Sequence, residues 1–104
     1  MIRGTTPDYI LEVDADLRGK TVYVTISQIS KKLTLTGENM VISADETGSS
    51  IAIRLSQEQT LGFKVGSAEM QVKFIDSTGE TWATDIQTIT VSRALLERVV
   101  EYDG

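Results

Sequence analysis

The sequence predicts an all-β protein: an immunoglobulin-like antiparallel β-sandwich with a short C-terminal helix. Three observations carry this. Apolar and polar residues alternate with period two over most of the chain. The alternating runs are short and are separated by Gly-, Asp- and Asn-containing turn signals. A single proline and the lack of any strand–helix–strand rhythm disfavour a parallel α/β sheet. A small barrel is the rival architecture, and with no cysteine the Cys…Trp…Cys core of antibody domains is excluded. The 104 residues are expected to form one domain, 1–92 the sandwich and 93–104 the helical tail. Area scaling gives roughly 5,800 Å² accessible when folded against about 16,500 Å² unfolded, enough burial to hold a core without staples.

The elements follow in order. Tyr9, Leu11 and Val13 alternate with Asp8, Ile10 and Glu12, a half-buried strand entered from the extended Thr6-Pro7. Asp14-Ala15-Asp16-Leu17-Arg18-Gly19 is a turn. Residues 20–29 form the clearest strand, with Val22, Val24 and Ile26 facing inward and Tyr23, Thr25 and Ser27 outward. Residues 31–35 repeat the pattern with Leu33 and Leu35 inward, and Thr36-Gly37-Glu38-Asn39 turns the chain. Two strands, 40–44 and 50–55, flank the loop Asp45-Glu46-Thr47-Gly48-Ser49, and Ile51, Ile53 and Leu55 share a face. Ser56 and Gln59 fit a capping box for one short helical turn before the core anchors Leu61 and Phe63. Residues 68–75 alternate Met70, Val72 and Phe74 against Glu69, Gln71 and Lys73, and Asp76-Ser77-Thr78-Gly79-Glu80 makes a hairpin turn. Residues 81–92 read as one long strand with Trp82, Ile89 and Val91. Leu95, Leu96, Val99 and Val100 then recur at helical spacing, a two-turn amphipathic helix.

Composition narrows the chemistry. There is no histidine and no cysteine, which removes the usual general base, the commonest metal ligand and the thiolate nucleophile together. The net charge of −5 disfavours nucleic acid, whose binding rests on Lys and Arg neutralising phosphates. No apolar run resembles a signal peptide or a membrane span, so no membrane association is expected. No cofactor, metal or catalytic residue is expected, and the chain is read as a non-enzyme.

The candidate sites are few. Asp14 with Asp16, and Asp76 with Glu80, offer carboxylates to Ca²⁺, but the twelve-residue EF-hand spacing is missing and both pairs read as charged turns. Lys31-Lys32 reads as a guard on an edge strand. Trp82 fills the core or packs beside the hairpin turn; with Tyr9 and Tyr23 it would instead line a sugar-stacking surface, the alternative of a carbohydrate- or host-surface-binding domain. Leu95, Leu96, Val99 and Val100 are the expected partner contact. A helix this short does not persist alone in water, so its stripe must dock on a neighbour or cover its own sandwich.

Four stretches carry a family resemblance: Met1-Ile2-Arg3-Gly4-Thr5-Thr6-Pro7, Ile53-Arg54-Leu55-Ser56-Gln57-Glu58-Gln59-Thr60-Leu61, Glu69-Met70-Gln71-Val72-Lys73 and Ala83-Thr84-Asp85-Ile86. In that order they resemble small tail-region proteins encoded in prophages of Gram-positive bacteria, whose fold is related to the N-terminal domain of phage baseplate upper proteins. The resemblance implies a structural or assembly role in a phage tail or baseplate, with other phage structural proteins or copies of itself as partners. It also implies residence in the bacterial host cytoplasm during assembly and in the virion afterwards.

Overall fold

Strands form where the alternation is strongest. In the computed structural model, which describes residues 1–102, they are β1 (Asp8–Val13), β2 (Thr21–Gln28), β3 (Lys31–Leu35), β4 (Met40–Asp45), β5 (Gly48–Arg54), β6 (Gly66–Ile75), β7 (Thr81–Ala83) and β8 (Gln87–Val91). One helix, α1 (Gln57–Leu61), and a 3₁₀ turn at Gly37–Asn39 interrupt them. The strands pair antiparallel into a three-stranded sheet of order β1-β5-β4 and a five-stranded sheet of order β3-β2-β6-β7, with β8 also on β6. Among the described residues no helix is long and apolar enough to cross a membrane.

The inward faces make the core. Leu11 and Val13, then Ile51 and Ile53, come from the small sheet; Val22, Val24 and Ile26, then Met70, Val72 and Phe74, come from the large one. Phe63, fully buried, is the largest side chain sealed inside. It is set there by α1, whose N-terminus carries the expected capping box: Ser56 Oγ accepts from Gln59 N–H (3.1 Å) and Gln59 Oε1 accepts from Ser56 N–H (2.8 Å). Lys31 and Lys32 sit on β3, an edge strand as expected.

Three expectations are corrected. The loop between β4 and β5 shortens to two residues, Glu46 and Thr47, because Asp45 pairs with Gly48 and its Oδ1 accepts from Thr47 N–H (2.8 Å) and Oγ1 (2.6 Å). The long strand 81–92 is two strands. Ala83 pairs with Lys73 and Gln87 with Met70, so residues 84–86 face only Gln71 and Val72, a bulge. Thr84 fills the break: its N–H donates to Val72 C=O (2.9 Å), and its Oγ1 accepts from Val72 N–H (3.1 Å).

The third correction concerns the tail. Residues 93–102 carry no helix, while Asp103 and Gly104 lie outside the described residues. Helix nucleation is unfavourable by a factor on the order of 10⁻³, and a short segment overcomes it only by burying an apolar stripe. Here the stripe is not buried: Leu95 is 98% exposed, Leu96 55%, Val99 41% and Val100 42%. Polar tethers at Glu97 and Val100 hold the tail, which has bends and no regular secondary structure.

Candidate functional site

The tethers converge on one end of the sandwich, where residues 1–7, α1 and the tail meet. Gly4, at φ +79°, turns the N-terminal arm back over Leu61. Thr60 fastens it there: this fully buried hydroxyl accepts from Gly4 N–H (2.9 Å) and donates to Thr5 C=O (2.9 Å). The arm also pairs with the end of β8, with Ser92 N–H donating to Met1 C=O (2.7 Å) and Arg3 N–H to Ser92 C=O (2.9 Å).

Arg3 is the junction of all three segments. Its guanidinium donates to Phe63 C=O (2.7 Å) and Leu61 C=O (3.0 Å), and it forms an ion pair with Glu97 at 2.7 Å. Further along, the Gln57 carboxamide imitates a strand partner: Oε1 accepts from Val100 N–H (2.7 Å) and Nε2 donates to Val100 C=O (2.9 Å). The tail is therefore tied to the body at two points, the Glu97 carboxylate and the Val100 backbone, while its apolar side chains are exposed. Ile2, also exposed, belongs to the same end of the molecule.

The expected contact residues Leu95, Leu96, Val99 and Val100 thus lie in one exposed segment, without the shared helical stripe. Arg3, Gln57 and Glu97, which position that segment, and Thr60, which fastens the arm that carries Arg3, have no local sequence signal as a site. Only the capping box marked Gln57 and Thr60 as lying in a structured turn.

The other candidates resolve into structural tasks. Asp16 accepts from Arg18 N–H and holds its guanidinium at 2.6–3.0 Å, which pulls its carboxyl from the ordinary 3.8 to about 2. Asp76 Oδ1 accepts from Thr78 N–H, Thr78 Oγ1 and Glu80 N–H, shaping the hairpin turn, and these bonds lower its pKa. Among the described residues no three His, Cys, Asp or Glu side chains group as a metal site. Trp82 stacks on Phe74 beside that turn (centroids 5.4 Å apart, planes at 18°), with Lys20 Nζ 5.9 Å from its ring centroid. Tyr23 sits on the outward face of β2 while Trp82 and Phe74 share the core side, so the aromatics do not form one platform. No protein-family model matches the chain, and no curated protein matches it.

Proposed function

We propose that this chain is a non-enzymatic structural or assembly module of a phage tail or baseplate, acting through protein–protein contacts, with residues 93–102 as its contact segment. The sandwich is read as immunoglobulin-like. Its place would be the bacterial cytoplasm during assembly and the virion afterwards. The observation that carries the reading is a segment tethered at Glu97 and at the Val100 backbone, with exposed apolar side chains at Leu95, Leu96, Val99 and Val100. Such an arrangement lowers the ordering cost of docking, because two tethers already restrict the segment. The surface supports it: 6875 Å² is accessible, about a fifth above the roughly 5,800 Å² expected of a monomer this size. A net charge of −5 keeps free copies soluble before assembly.

The test is to induce the parent prophage and analyse purified particles and assembly intermediates by mass spectrometry, with the full chain and with a chain ending at Arg93. The full chain is expected in particles and the shortened one is expected to be depleted. Complete absence of the full chain from both fractions, with normal particles after gene deletion, would sink the reading.

A further inference from the structure

The sheet edges of this molecule are not equally protected. β3 carries Lys31 and Lys32; β7 is three residues long; the open side of β8 is bonded by the N-terminal arm through Thr90 C=O and Ser92. β1 is entered from Pro7 and places Asp8 and Glu12 outward. Charges, proline, shortness and cover are the usual guards of a sheet edge. β4, Met40-Val41-Ile42-Ser43-Ala44-Asp45, has none of them over its first five residues.

Its free backbone groups can be assigned. The two-residue turn makes Asp45 and Gly48 a hydrogen-bonded pair, so by antiparallel alternation Ser43 and Val41 also bond β5. The N–H and C=O groups of Met40, Ile42 and Ala44 then point away from β5, and no described residue bonds them. Beside this edge the outward face is apolar across all three strands. Ile10, Ala52 and Val41 stand in register, with Ile10 and Val41 each 69% exposed.

We infer that β4 pairs antiparallel with β4 of a second copy, on a two-fold axis through Val41, to give one continuous six-stranded sheet. Three features select a second copy and this register. A strand paired antiparallel with itself is self-complementary about a two-fold, the commonest closed symmetry. With Val41 facing its own counterpart, Met40 and Ile42 of each copy exchange both of their free backbone bonds, and the apolar row runs unbroken as Ile10, Ala52, Val41, then Val41, Ala52, Ile10. The charges also fit: Glu38 falls opposite Ala44 and Asp45 opposite Gly37. Moving the axis to Ile42 would set Glu38 against Glu46 and interrupt the row with Ser43. The outer edges of the dimer are the guarded β1 strands, so association stops at two.

Light scattering coupled to gel filtration is expected to give twice the 11.4 kDa chain mass. Val41→Lys sets like charges on the axis and should weaken association by roughly tenfold or more, with a melting temperature close to that of the parent chain when both are compared at concentrations dilute enough to be monomeric, because the site is exposed. The chain has no cysteine, so Val41→Cys supplies a lone thiol. Facing Cα atoms about 4.5 Å apart in a non-hydrogen-bonded pair permit an intermolecular disulfide. Ser43→Cys, whose copies would lie roughly 13 Å apart, should not cross-link. A chain ending at Arg93 should remain dimeric, which separates this contact from the tail's. A monomer at hundreds of micromolar, a dimer indifferent to Val41→Lys, or cross-linking of Ser43→Cys as readily as Val41→Cys would overturn the inference.

Discussion

Thr60 shows how much one hydroxyl organises. It alone satisfies Gly4 N–H and Thr5 C=O, so Thr60→Val keeps the shape and leaves both groups unpaired. The expected cost is about 1–3 kcal/mol, read as a lower denaturation midpoint, with Thr60→Ser recovering most of it. The carboxylates give a second expectation. Asp16 is lowered to about 2 by Arg18, and Asp8, Asp45 and Asp76 are lowered chiefly by side-chain bonds from Arg54, Thr47 and Thr78. A carboxyl with a folded pKa below its unfolded 3.8 stabilises fully above that pH and loses the contribution as pH falls toward the folded value. Stability should therefore decline between pH 3.8 and about 2, modestly because these groups are exposed and screened. In Asp16→Asn the decline, followed by denaturant titration at each pH, should be shallower.

Among the elements, those that alternate over a half-buried face were legible. β2, β5 and β6 alternate cleanly because one side meets the core. The capping box was legible too, since Ser56 and Gln59 act within one turn; Ser56→Ala should cost about 1 kcal/mol in a thermal melt. The tail was not. Its Leu/Val spacing suits a helix, but its course is set by Gln57 across 43 residues of sequence and by Arg3 from the other terminus. No local window contains those partners. Among the described residues the core cluster includes nothing beyond Val91, so removing residues 94–104 should leave a folded sandwich by far-UV circular dichroism and melt near the full chain. Unfolding would make the tail a structural element.

At the scale of the molecule, the sandwich is thin, 46 × 35 × 20 Å, and exposes its apolar excess at the tail and at the β4 edge. The pairing inferred for β4 would bring two acidic bodies together. Since each copy carries −5, added salt should tighten self-association by screening the repulsion; weakening with salt, measured by sedimentation, would point to an ion-pair interface instead. The bulge at residues 84–86 has its own consequence. Trp82 and Val91 have numbers of opposite parity, and they share the core side only because the extra residue switches odd for even between them. Deletions in this exposed stretch should therefore be judged against the bulge: losing one residue leaves two residues opposite Gln71 and Val72 and keeps Val91 opposite Gly66 on the core side, whereas losing two shifts the register by one, turning Val91 to solvent and bringing Ser92 inward. The segment that looks most like a tolerant surface loop is a frame-shifter for the last strand.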